Sequence, residues 1–81
     1  VALVTGGTRG IGRAIAAALR ESGARVAIAG RDQGRADEAA AQLGEEVRGY
    51  ACDVADAASV TALVEAVERD FGQLDILVNN A

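Results

Sequence analysis

The sequence predicts an α/β fold, with a four-stranded parallel sheet of strand order 3-2-1-4 as the middle of three layers. Three observations carry this. Short apolar runs alternate with helix-period segments along the whole chain, the pattern of βαβ units. The connections are short, so right-handed crossovers leave few topologies open. The first apolar run also passes through a glycine-rich turn directly into a helix.

The first strand is residues 1–5, a buried apolar run ended by glycine. The first helix follows at once. Ile11, Ala14, Ile15, Ala18 and Leu19 recur at helical spacing, with Arg13, Arg20 and Glu21 expected on the opposite side. Gly23 has the place of a C′ residue. Residues 26–29 form the second strand, ended by Gly30, and Asp32 can cap the second helix. That helix is weak on paper: Gly34 sits in its first turn, and its inner face is Ala36, Ala39, Ala40 and Leu43.

Residues 47–52 form the third and least apolar strand. Asp56 caps the third helix, whose stripe of Val60, Leu63, Val64, Val67 and Phe71 is the cleanest amphipathic pattern in the chain. Gly72 ends it, and residues 74–78 form the fourth strand. In this topology the first two helices cover one face of the sheet and the third covers the other. One helix cannot cover a four-stranded face, so that face should be partly bare and the fourth strand an unprotected edge.

Composition narrows the function. With 81 residues the chain makes one small domain, burying roughly 60–65% of its unfolded surface. The net charge of −4 argues against a nucleic-acid partner. There is no Lys and no His, which removes the usual general bases, the commonest metal ligand and the lysine that a P-loop needs. Cys52 is the only cysteine, which excludes an internal disulfide and fits a reducing cytoplasmic setting. No apolar run approaches the ~18 residues of a membrane span. The chain opens inside a strand without Met and closes on another apolar run, so it reads as a segment of a longer protein.

The stretch Val4-Thr5-Gly6-Gly7-Thr8-Arg9-Gly10-Ile11-Gly12 spaces three glycines as Gly-x-x-x-Gly-x-Gly between a strand and a helix. Free N–H groups and the positive end of the helix dipole meet at such a turn and favour an anion, most often a phosphate. The strand order reverses between strands 1 and 4, where a crevice opens at the strands' C-terminal ends. Asn79 and Asn80 arrive at the same crevice.

With these elements in place the sequence resembles the short-chain dehydrogenases/reductases. The matching text is Thr5-Gly6-Gly7-Thr8-Arg9-Gly10-Ile11-Gly12, then Cys52-Asp53-Val54, then Phe71-Gly72-Gln73-Leu74-Asp75-Ile76-Leu77-Val78-Asn79-Asn80-Ala81. These correspond to the family's TGxxxGIG turn, its Asp-Val after the third strand, and its NNAG motif cut one residue short. All three occur in order across the whole chain. Among members the text most resembles the 3-oxoacyl-[acyl-carrier-protein] reductases, which would place the parent in fatty-acid biosynthesis.

The resemblance implies that residues 1–81 are the N-terminal, Rossmann-type NAD(P)-binding half of an oxidoreductase domain, without its catalytic half. Gly6, Thr8, Arg9, Gly10, Ile11 and Gly12 would line the phosphates and the adenosine ribose. Asp53 would bond the adenine amino group, with Val54 against the ring, and Asn80 and Ala81 would sit near the adenosine-side ribose. Thr5 reads mainly as a tie between strands 4 and 1, Cys52 as a small core residue, and Asp75 as a polar strand start. The family's Tyr-x-x-x-Lys pair and Ser are absent: Tyr50 is the sole tyrosine and no lysine follows it. The implied catalytic residues and oligomer helices would lie beyond residue 81, so these residues alone should be inactive, and the parent a homo-oligomer.

The cofactor choice turns on the end of strand 2. Free ribose hydroxyls are usually held by a carboxylate there, but Gly30 occupies the position and Arg31 follows. A guanidinium pairs well with a 2′-phosphate, and Arg9 could supply a second cation, so NADP is expected over NAD. The alternative is that Arg31 is a solvated charge and Asp32 holds the hydroxyls. Two other functions fit the same elements: a non-catalytic dinucleotide-binding or interaction module, and a methyltransferase-like domain. Gly30 counts against the latter, which usually needs an acidic residue there.

Overall fold

The computed structural model describes residues 1–8 and 10–80; Arg9 and Ala81 lie outside the described residues. The elements alternate as the sequence predicts: β1 (Ala2–Thr5), α1 (Gly10–Glu21), β2 (Val26–Gly30), α2 (Gln33–Leu43), β3 (Arg48–Ala51), α3 (Ala57–Phe71) and β4 (Ile76–Asn79). All strand pairs are parallel, in the order β3-β2-β1-β4. β3 and β4 are shorter at their starts than the apolar runs that signal them. β2 extends one residue further, so Gly30 is its last residue and stands opposite Ala51.

The pleat divides β1 and β2 between two cores. Val4, Val26 and Ile28 pack with Ala16 of α1 and with Ala39 and Ala40 of α2. Leu3, Ala27 and Ala29 pack with Leu63, Val67 and Phe71 of α3. Full burial of each large apolar side chain here contributes about 1.5–3 kcal/mol. The expected partition of helices, α1 and α2 on one face and α3 on the other, is therefore observed.

α3 follows its sequence pattern closely. Asp56 caps it by accepting the N–H of Ala58 at 3.0 Å, and Gly72 closes it in the left-handed conformation. Its last turn is clamped from outside the helix: the Arg25 guanidinium donates to the Phe71 carbonyl at 2.7 Å. Arg25 and Arg48 also lie 5.3 and 5.8 Å from the centre of the Phe71 ring. Asp32 caps α2 through the N–H of Arg35 at 3.1 Å. Ala36, Ala39 and Ala40 form its buried face, with Leu43 partly buried beside them.

α1 departs from the expected stripe. Its buried residues are Gly12 and Ala16, flanked by the partly buried Ile15 and Leu19, whereas Ala14 and Ala18 are exposed and Ile11 is 74% exposed. Arg13, expected on the solvated side, is half-buried. The cause is the seat of the helix. A Cβ on Gly12 would collide with the Gly6 carbonyl, so α1 rests on the turn through a bare backbone patch and is rotated to present it.

β4 is the exposed edge that the topology requires. Leu77 stands beside Leu3 on the α3 face and is 55% exposed, and Ile76 stands beside Ala2 on the other face and is 48% exposed. Coverage thus falls short at β4 on both faces. No helix among the described residues is long and apolar enough to cross a membrane.

Candidate functional site

The turn after β1 is built by glycines with different tasks. Gly6 and Gly10 have φ of 67° and 63°, a region that side chains rarely adopt. A Cβ on Gly10 would meet nothing within 4 Å, so its backbone faces open space. A Cβ on Gly12 would lie 2.8 Å from the Gly6 carbonyl carbon and 2.7 Å from Asn80 Nδ2. Gly12 therefore permits close packing, while Gly10 leaves room outside. The first turn of α1 holds no acidic residue, so its free N–H groups and its dipole remain available to an anion.

Thr5 ties this turn to β4. Its hydroxyl accepts the N–H of Asn80 at 3.1 Å and is within donating distance of the Val78 carbonyl, 3.3 Å, and Asn79 Oδ1, 3.1 Å. This is the structural role expected of it. Asn80 reaches the turn both through that N–H and through its amide beside Gly12, so the two distant motifs do converge.

Beside the turn a groove of about 670 Å³ opens over the end of β2, between α1 and α2. Gly6, Thr8, Gly30, Arg31, Asp32, Cys52 and Val54 line it, joined by Arg13, Arg35, Glu38 and Gln42 from the helices. The groove lies one strand over from the β1–β4 crevice. Of the predicted site residues, Gly6, Thr8, Arg31 and Val54 line it; Gly10, Ile11, Gly12, Asp53 and Asn80 do not. Gly12 and Asn80 flank it across Gly6, and Ile11 stands exposed beside them. Asp53 caps its own loop, accepting the N–H of Ala55 at 3.0 Å. Arg9 and Ala81 belong to the same set of expected residues and lie outside the described ones.

The charges in the groove are unequally committed. Among the described residues, neither Arg31 nor Arg35 has a carboxylate within ion-pair distance. Arg13 is engaged across the helices by the Gln42 amide oxygen. Asp32 already serves as the α2 cap. Cys52 is buried, with its sulfur 3.6 Å from the Ser59 hydroxyl, and behaves as a core residue. The groove contributions of Arg13 and Arg35 are absent from the sequence reading. Their signals were available: each sits in the first turn of a helix that opens onto a strand end.

Tyr50 stands outside the groove, its hydroxyl donating to Asp70 Oδ2 at 2.8 Å. Burial, and then the bond to Asp70, push its pKa up to about 12. Asp70 is held below the ordinary carboxylate range by that bond and then by Arg69.

The sequence that builds this site matches a family model described as short chain dehydrogenase over residues 1–81. The chain belongs to the short-chain dehydrogenase family. Within it, the chain is 55% identical over 84 residues to D-threitol dehydrogenase of Mycolicibacterium smegmatis, covering all of this chain and 32% of that protein. Two solved structures superpose closely. A 3-ketoacyl-(acyl-carrier-protein) reductase from Brucella melitensis complexed with NADH has a TM-score of 0.88 at 38% identity, over 94% of this chain and 31% of that one. An actinorhodin polyketide ketoreductase with NADPH has a TM-score of 0.92 at 42% identity, over 99% of this chain and 32% of the other. The chain thus spans about a third of the length of these relatives.

The residues present fit a nicotinamide dinucleotide. The free N–H groups in the first turn of α1, open space at Gly10 and an adjoining groove with uncommitted cations suit the anionic groups of such a cofactor.

Proposed function

We propose that residues 1–81 form the dinucleotide-binding half of an NADP-dependent oxidoreductase that reduces a carbonyl to an alcohol, the carbonyl belonging to a 3-oxoacyl thioester or a similar ketone. The bound cofactor supplies the hydride; this chain's residues hold and orient it. Gly6, Thr8, Gly10, Ile11 and Gly12, with Arg9, cradle the phosphates and the nearby ribose. Asp53 and Val54 meet the adenine, and Asn80 and Ala81 the adenosine-side ribose. The remaining residues of the parent supply the catalytic groups, since the only tyrosine here is bonded to Asp70 outside the groove and no lysine exists to partner it. The parent is a homo-oligomer acting in a reducing cytoplasm, which suits the single buried thiol.

The observation that carries the NADP reading is the end of β2. Gly30 has no side chain to offer the ribose hydroxyls, Asp32 is engaged in capping, and Arg31 lines the groove without an ion-pair partner among the described residues. The ketone reading draws on the ketoacyl reductase relatives, whose neighbours also include a polyol dehydrogenase. Cofactor binding by the full-length protein tests the choice. Arg31→Asp should weaken NADPH far more than NADH, and equal losses for both would overturn it.

A further inference from the structure

Gly30 has no conformational reason to be glycine. Its φ is not among the positive values, so its backbone would accept any side chain. What forbids one is Thr8. A Cβ on Gly30 would lie 2.6 Å from Thr8 Cγ2, 3.2 Å from Thr8 Oγ1 and 3.5 Å from Thr8 Cβ. The first distance is a collision, the second is tight, and the third is ordinary contact. The obstacle is therefore the outer half of one side chain. Thr8 also belongs to the turn that meets the phosphates, held against β2 by the Gly6 N–H to the Ala29 carbonyl at 2.9 Å and the Gly7 N–H to the same oxygen at 3.3 Å. A side chain at residue 30 must therefore turn or shift the Thr8 methyl and hydroxyl, which stand on that turn.

We infer that Thr8 is a specificity-determining residue: by filling the space at the end of β2 it excludes the carboxylate that would hold free ribose hydroxyls, and so leaves Arg31 to read a phosphorylated ribose. The inference rests on the proposed cofactor site. Its distinctive content is that residues 8 and 30 are coupled. A strand-end carboxylate cannot be introduced at residue 30 with profit unless residue 8 is shortened first. The same contact makes the grip on the phosphates and the reading of the ribose interdependent, although one residue lies in the turn after β1 and the other ends β2.

The test is a double-mutant cycle in the full-length protein, with NADPH and NADH binding measured by fluorescence titration. Gly30→Asp alone should weaken both cofactors, because the aspartate drives the Thr8 side chain from its place on the phosphate turn. Thr8→Ala/Gly30→Asp should bind NADH at least tenfold more tightly than Gly30→Asp does, and should prefer NADH to NADPH. If Gly30→Asp alone gains NADH affinity as fully as the double variant, Thr8 excludes nothing and the inference fails. Melting of Gly30→Ala tests the contact without any ligand. It should lower Tm by several degrees beside Thr8, less in a Thr8→Ser background, and hardly at all beside Thr8→Ala. Equal shifts in the three backgrounds would refute the coupling. Failure of the unmodified protein to bind either dinucleotide would instead refute the cofactor reading, and the melting series would still decide the contact.

Discussion

Replacing Gly12 by alanine sets two effects of opposite sign against each other. In a helix the change ordinarily stabilises by about 1 kcal/mol, because alanine loses less backbone freedom on folding. Here the new Cβ would fall 2.8 Å from the Gly6 carbonyl carbon and 2.7 Å from Asn80 Nδ2, and closer still to the Gly6 oxygen. Carbon atoms rest at about 3.5–4.0 Å, so α1 would have to lift by roughly 1 Å. That movement loosens Ile15, Ala16 and Leu19 from the sheet along with it. Overpacking of this kind costs about 1–3 kcal/mol, and the rigid backbone on the other side places Gly12 at the upper end. The net expectation is a loss of about 1–2 kcal/mol. At about 4–8 °C per kcal/mol for a domain of this size, Tm should fall by about 5–15 °C. Thermal melting followed by circular dichroism measures it, with Gly34→Ala as the control. Gly34 is an exposed residue of α2 whose Cβ would meet only the Asp32 carboxylate, at 3.2 Å. If Gly12→Ala melts no lower than Gly34→Ala, close packing is not what residue 12 provides.

Other consequences are equally direct. Thr5→Val keeps the shape of the side chain but strands the Asn80 N–H, at a cost of about 1–2 kcal/mol. Hydrogen exchange should show the Asn80 amide losing protection while the β1–β2 amides keep theirs. Asp56→Ala should remove about 1 kcal/mol through the α3 cap, seen as a lower urea midpoint with an unchanged slope. The burial of Tyr50 and its bond to Asp70 predict a plateau of stability against pH. Tyr50 is raised from 10.0 to about 12, so its contribution is complete below pH 10 and is lost as the pH climbs toward 12. Asp70 is lowered from 3.8, so its contribution is present above that value and disappears as the pH falls through the depressed one. Tyr50→Phe should remove the alkaline shoulder and reduce the acid one, leaving the share due to Arg69, in urea titrations across pH; an unchanged acid shoulder would show that the bond does not form.

How much of this could be read in advance depended on the kind of signal. α3 was legible because its stripe mixes Val60, Leu63, Val67 and Phe71 with charged residues, so only one rotation buries the apolar side chains. α1 was not. Its outward residues include Ala14 and Ala18, which are apolar by type yet small enough to stand in water at little cost. The rotation of that helix is fixed by a backbone contact at Gly12, which periodicity does not register. The strand order and the bare edge at β4 followed from connectivity, because short right-handed crossovers permit little else. The turn residues followed from their spacing. The groove was less visible, since Arg13 and Gln42 meet across two helices and Thr8 of the turn meets Gly30 at the end of β2. Contacts between separate loops carry no periodic trace in a single sequence.

The chain has one Phe, one Tyr and no Trp, so close packing has to come from short distances rather than large side chains. The glycines supply those distances. At Gly7 a Cβ would meet the Ile28 side chain at 2.8 Å, at Gly12 the Gly6 carbonyl, at Gly30 the Thr8 methyl, and at Gly49 the Ala36 backbone. Three of these four positions surround the turn after β1. The place where the backbone is most tightly packed therefore adjoins both the groove and the open space beside Gly10. Rigidity inside and access outside are produced by the same residues, used in opposite ways: Gly12 is glycine because nothing fits beneath it, and Gly10 because its φ of 63° turns the chain toward empty space. Substitution should distinguish the two. A side chain at residue 12 should lower stability and ligand binding together. One at residue 10 should cost about 1–2 kcal/mol of left-handed strain and additionally obstruct whatever approaches the turn.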